Sequence, residues 1–183
     1  MKRTARTSAQ VSTLPIPDWD HIQGPIDAPI TLVEYGDYEC PYCGQAYPVV
    51  KAIQKRLGNS LCFAFRNFPL TNMHPHAEHA AEAAEAADKQ GRFWEMHDLL
   101  YENQAALQDE DLAQYASDLG LDARRLISEV QADAHIARIR EDFRSGARNG
   151  VNGTPTFFIN GERYDGPVDP ESMLAYLARA AEA

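Results

Sequence analysis

Four residues, Cys40-Pro41-Tyr42-Cys43, sit where two different folding patterns meet. Upstream, Ile30-Thr31-Leu32-Val33-Glu34-Tyr35 is a continuous apolar and β-branched run, the pattern of a central strand covered on both faces. Gly36 and Asp37 end it. Downstream, Ala46, Val49, Val50, Ile53 and Leu57 recur at helical spacing, with Pro41 at the first helical position and Gly58-Asn59 as the stop. Cys40 therefore falls at a helix N-terminus. There, unpaired backbone N–H groups and the positive end of the helix dipole favour thiolate over thiol, and the thiolate is the nucleophile. Cys43 lies one turn on, close enough for a disulfide with Cys40, so the pair can store and release two electrons.

The rest of the chain supplies a sheet in two pieces. Leu61 to Phe65 reads as the next strand. From Pro75 to about Arg148 strand signals vanish. His79-Ala80-Ala81-Glu82-Ala83-Ala84-Glu85-Ala86-Ala87 consists largely of strong helix formers, and Phe93, Trp94, Met96, His97, Leu99 and Leu100 indicate a second helix. Gly120 and Asp122 mark a helix stop and the next N-cap, and Ile136, Ile139 and Phe143 form the stripe of a last helix. Thr156-Phe157-Phe158-Ile159 is again a strand, Asn160-Gly161 a hairpin turn, and Glu162 to Tyr164 the return strand. Asp169-Pro170 supplies an N-cap and an N1 proline for a final helix to about Ala180. This order predicts an α/β chain: a mixed central sheet with helices on both faces, interrupted by an all-helical insertion. The expected division is an N-terminal arm at 1–25, a sheet-bearing domain at 26–73 and 149–183, and the inserted helical subdomain at 74–148.

Composition excludes several function classes. A 183-residue chain that is 44% hydrophobic and 24% charged can build a real core. Its net charge of −10 argues against a nucleic-acid partner. No apolar run approaches the roughly 18 residues of a membrane span, so no membrane role is expected. Met1 to Leu14 carries Lys2, Arg3 and Arg6 but lacks the apolar core of a secretory leader, so a cytoplasmic location is expected, for a monomer. Three cysteines suit a disulfide-stapled secreted fold poorly, and in a reducing compartment a close pair points to catalysis or metal binding.

Opening the first helix with Cys40-Pro41-Tyr42-Cys43, and placing Gly153-Thr154-Pro155-Thr156 just before the third strand, resembles the thioredoxin fold. The helical block between the halves resembles its DsbA-like branch of thiol-disulfide oxidoreductases, over about Ile26 to Leu177. The resemblance implies that Cys40 attacks a disulfide and Cys43 resolves the mixed disulfide. It also implies a cis bond at Thr154-Pro155 facing the pair, and a buried acidic residue at Glu34. Pro41 and Tyr42 would tune the couple. Tyr42 stands where the best-known members have His and is neutral at pH 7, which implies a milder oxidant than those members. Substrates would be protein disulfides and thiols or low-molecular-weight thiols, with a separate redox partner for turnover and no bound cofactor.

Each candidate also has a plainer reading. Glu34, in a run that should be buried, is either a proton acceptor for Cys43 or an edge carboxylate. Cys62 reads as core packing. Arg66 offers positive charge near the site or forms a surface ion pair. His74, His76 and His79 cluster before the Ala-rich helix; His76 and His79 read as helix-start surface residues, and a zinc shared by two of the imidazoles with Cys40 and Cys43 is the alternative, at a spacing that matches no usual zinc pattern. Phe93 and Trp94 read as core of the helical block. Two functional alternatives stay open: a metal-binding module with Cys40 and Cys43 as ligands, and a binding protein switched by the dithiol.

Overall fold

A central strand, β2 (Ile30–Gly36), pairs in parallel with β3 (Leu61–Asn67) on one side and antiparallel with β4 (Thr156–Ile159) on the other. The computed structural model describes residues 14–180, so residues 1–13 of the basic N-terminal segment lie outside the described residues. The sheet is completed by β1 (His21–Gln23), antiparallel to β3, and β5 (Glu162–Tyr164), antiparallel to β4, giving the order β1-β3-β2-β4-β5. The helices are α1 (Pro41–Leu57), α2 (Ala77–Asp88), α3 (Phe93–Glu102), α4 (Asp109–Asp118), α5 (Ala123–Gln131), α6 (Ile136–Arg148) and α7 (Pro170–Ala180). This is a thioredoxin fold: a mixed five-stranded sheet with helices on both faces.

Alternation along β2 divides the core. Ile30 and Leu32 face the layer that holds α1, α7 and helices α2 to α5, whereas Val33 and Tyr35 face the other side. By the same alternation Glu34 points into the first layer, beneath α1. The opposite layer is thinner. There the C-terminal half of α6 covers the sheet, with Ser145 sharing a 2.8 Å hydrogen bond with the Tyr35 hydroxyl. Gly146 lies so close that a Cβ would stand 2.8 Å from the Phe68 ring.

The Ala-rich helix α2 is buried on nearly every side: Ala80, Ala81, Ala83, Ala84, Ala86 and Ala87 are all inside. A helix buried on nearly every side is a core helix; α2 buries Glu82 and Glu85 with its alanines, whose small side chains let α3 and α5 approach closely. Met96 and Leu100 of α3, Leu112 of α4 and Leu126 of α5 share one apolar cluster with Leu32, Phe63 and Phe65 of the sheet. The helical block therefore has no separate core; it continues the core of the sheet.

Local signals hold where they were strong. Asp169 caps α7 by accepting from the Ser172 N–H at 2.8 Å. Asn160 and Gly161 both have positive φ, 48° and 85°, as the tightest hairpin turns demand. The arm expected at 1–25 needs correction, because His21–Gln23 is a sheet strand. Three half-buried residues carry too little pattern to be read alone. They are held by tertiary partners: Trp94 donates to the Ile22 carbonyl at 3.2 Å, and His21 stacks on Phe93 at 3.5 Å.

A dithiol site at the start of helix α1

Cys40 is the N-cap of α1 and Pro41 its first residue, so Cys43 lies one turn inside the helix. Cys40 is 3% exposed and Cys43 fully buried; both are free thiols, as is buried Cys62. The Cys40 thiol donates to the Thr154 carbonyl at 3.4 Å, and the Thr154–Pro155 bond is cis. A side-chain sulfur and a backbone carbonyl 114 residues apart in sequence thus meet. Tyr42, two-thirds exposed, lines a groove of about 250 Å³ with Gln45, Ala46, Thr154, Pro155 and Val168.

The two thiols are driven apart in acidity. Cys40 is lowered from its ordinary 9.0 to about 5, chiefly because the neighbouring Cys43 S–H donates to its sulfur; burial opposes this, and Thr154 and the N–H groups of Cys43 and Tyr42 assist. Burial pushes Cys43 well above 9.0, with the Cys40 hydrogen bond and the Glu34 charge adding to it. One thiol is therefore ready as a nucleophile while the other keeps its proton.

Glu34, paired with Phe65 and Phe157 across the sheet, is 2% exposed. Burial first, and then the negative charge of Cys40, raise its carboxyl from 4.5 to about 8. This burial excludes the edge or surface reading. Its Oε1 has no hydrogen-bond partner, and neither has the buried Tyr101 hydroxyl or Thr154 Oγ1, among the described residues. Such atoms are uncommon in cores; here three of them lie at one dithiol.

Sequence reasoning gave Asp37 and Gln104 no role at this site, and His74 only a conceivable place in a metal site shared with the two cysteines. Asp37, 1% exposed, gathers the loop before α1: its Oδ1 accepts from the Glu39 and Cys40 N–H groups at 2.8 and 3.2 Å, and its Oδ2 accepts from the Leu70 N–H at 2.8 Å. His74 Nδ1 lies 2.8 Å from Asp37 Oδ2. Gln104, from the helical block, donates to the carbonyls of Tyr38 and Cys40, both at 2.8 Å. It fits because Gly44 has no side chain; a Cβ there would stand 1.9 Å from Gln104 Oε1. An aspartate three residues before a helix-start cysteine is a local turn signal. For Gln104 the sequence offers none, and for His74 only its place in the histidine cluster before the Ala-rich helix.

Other expectations move away from the site. Arg66 is neither at the dithiol nor on the surface: it is 3% exposed on the far face of the sheet, paired with Asp20 at 2.7 Å. Its position in β3 has the parity of Cys62 and Ala64, which turns it from Glu34 and the cysteines. His76 and His79 pair with Glu39 and Asp109 at 2.9 and 2.7 Å, and both remain partly exposed. No group of three or more side chains able to hold a metal gathers among the described residues.

A buried dithiol at the first helix, faced by a cis-proline loop and flanked by a helical insertion, defines a redox-site arrangement of the thioredoxin-fold class. Residues 18–179 match the family described as Thioredoxin, and the chain belongs to it. The fold superposes on BdbD from Bacillus subtilis with a TM-score of 0.85 at 23% identity, covering 94% of this chain and 98% of that one. It superposes on a thioredoxin-like oxidoreductase from Silicibacter pomeroyi with a TM-score of 0.81 at 26% identity, covering 96% and 99%. Over 164 residues, 90% of this chain, it is 48% identical to a protein of Salinispora arenicola named Na(+)/H(+) antiporter NhaA 1. The chain spans about a quarter of the length of that curated relative and of the others like it. No helix among the described residues is long and apolar enough to cross a membrane.

Proposed function

We propose that the protein is a thiol-disulfide oxidoreductase that works through Cys40 and Cys43. The observation that carries this is the split between the thiols, one lowered to about 5 and the other held protonated by burial. The Cys40 thiolate attacks a substrate disulfide, forming a Cys40–substrate disulfide and releasing one substrate thiolate. Cys43 then loses its proton to the Glu34 carboxylate and attacks the Cys40 sulfur, releasing the second substrate thiolate. The substrate gains two electrons and the pair becomes a disulfide. Starting from the disulfide, the same steps in reverse oxidise a substrate dithiol.

The site prepares the second step as the first occurs. The Cys40 negative charge helps to keep Glu34 protonated. Once Cys40 is tied into a mixed disulfide that charge is gone, and a larger fraction of Glu34 is ionised to accept the Cys43 proton. The groove beside Tyr42 and Val168 receives the substrate chain, and the Thr154 backbone lies beside it for pairing with an extended peptide. Protein disulfides and low-molecular-weight disulfides are both candidate substrates, a thiol or second redox protein restores the pair, and the cytoplasm is the proposed compartment. Cys43→Ser tests the reading: it should accumulate covalent partners at Cys40, and absence of any mixed disulfide with a model disulfide would reject it.

A second reading rests on the Salinispora relative, whose name describes an antiporter and of which this chain matches one quarter. In that reading the dithiol switches a binding surface on a transport protein. A reversible disulfide with no turnover of insulin would favour it over catalysis.

A further inference from the structure

The residue between the cysteines, Tyr42, is a phenol, so the dipeptide brings no cation to the Cys40 thiolate. Three residues before Cys40 the structure instead places a buried carboxylate, Asp37. Asp37 holds the Cys40 N–H through Oδ1, and its own N–H approaches the Cys43 sulfur at 3.5 Å. A lone carboxylate in this position would oppose a thiolate on Cys40, because two like charges in one buried site disfavour each other.

Asp37 is not alone. Its second oxygen meets His74 Nδ1 at 2.8 Å, and the His74 side chain is 14% exposed. His74 comes from the loop between β3 and α2, whose Leu70 N–H also donates to Asp37 Oδ2. A second pair repeats the arrangement one step outward: Glu39 accepts from the His76 N–H at 2.6 Å and lies 2.9 Å from His76 Nδ1. The loop is thus clamped by two His–carboxylate pairs onto the three residues that precede Cys40.

We propose that His74 is the cationic positioning residue of this dithiol, neutralising Asp37 so that the loop before α1 tolerates and favours a thiolate on Cys40. The inference rests on the oxidoreductase reading and adds to it the residue that sets the nucleophile. Burial would push the His74 imidazole down, but the hydrogen bond and charge of Asp37, with the charges of Cys40 and Glu39, outweigh it and raise its proton affinity. The charged or titratable groups facing His74 are therefore Asp37, Glu39 and Cys40, all on the loop before α1, with His76 beyond Glu39 on its own loop.

The coupling is reciprocal, so it can be read from either group. In the unmodified protein, proton NMR of His74 should give a higher titration midpoint in the reduced form than in the disulfide form, where Cys40 carries no charge. His74→Asn keeps an N–H for Asp37 but no charge. The pH profile of Cys40 alkylation in this variant should shift upward by about one unit. The equilibrium with glutathione should move toward the disulfide by about tenfold. Adding Asp37→Asn should bring the profile back toward wild type. Identical His74 midpoints in both redox states, or an unmoved Cys40 profile in His74→Asn, would overturn the proposal. A wild-type Cys40 that titrates at its ordinary value would instead overturn the oxidoreductase reading itself.

Discussion

The Cys40 thiol donates to the carbonyl of Thr154 at 3.4 Å, joining the start of α1 to the loop before β4. The neighbouring Cys43 thiol defines the nucleophile, since its hydrogen bond to the Cys40 sulfur is the largest cause holding Cys40 low. Alkylation of the reduced protein by iodoacetamide should therefore show a midpoint near 5. Cys43→Ala removes the largest cause and should move the midpoint upward. The couple should have a potential between roughly −270 and −120 mV, measured against glutathione.

Glu34 makes a stability prediction as well as a catalytic one. Its carboxyl titrates near 4.5 when unfolded and about 8 in the fold. Folding thus favours the protonated form. The stability this provides is complete below 4.5 and is lost as the pH rises to about 8, at about 1.4 kcal/mol per pH unit. Glu34→Gln escapes that loss, so urea unfolding should show the variant gaining on wild type across this window and levelling off above it. In stopped-flow turnover the same variant should attack substrate normally and resolve slowly. An unchanged resolving rate would remove Glu34 from the mechanism.

His97 should make the fold sensitive to acid. It is 3% exposed within the aromatic cluster, and its Nδ1 lies 3.0 Å from the Tyr38 hydroxyl. Burial first, then the Lys51 and His21 charges, hold it well below 6.5. The unfolded chain therefore takes up a proton below pH 6.5 that the fold resists, and stability falls as the pH drops. His97→Phe should flatten that fall between pH 6.5 and 5. At pH 8 it should lose about 1–3 kcal/mol, because the Tyr38 hydroxyl is left buried without its partner.

Gly146 probes the thinner face of the sheet. An added methyl would stand 2.8 Å from the Phe68 ring and 3.0 Å from Tyr35. Gly146→Ala should destabilise the protein by about 1–3 kcal/mol in chemical denaturation. The Cys40 alkylation profile should stay unchanged, because this layer faces away from the dithiol.

Much of this molecule was legible in the chain. The run at Ile30–Tyr35, the helix from Pro41, the Asn160-Gly161 turn and the Asp169 cap are local signals, each resting on residues within a few positions of one another. They place the two cysteines on the first helix with Thr154-Pro155 before β4. What escaped were features whose causes lie far along the chain. His21–Gln23 becomes a strand because β3 offers an edge and Trp94 holds the Ile22 carbonyl. Arg66 carries its charge inward because Asp20 waits there.

The sequence by itself determined the elements and the chemistry of the pair. Periodicity and capping are short-range, and a thiol at a helix start meets the same free N–H groups in any fold. The tertiary structure decided which groups control that pair. Glu34 is turned toward α1 by the register of β2, Gln104 reaches in over Gly44, and His74 meets Asp37 across 37 residues. Charge and burial act through space, so their effect on Cys40 appears only once the chain has folded around it.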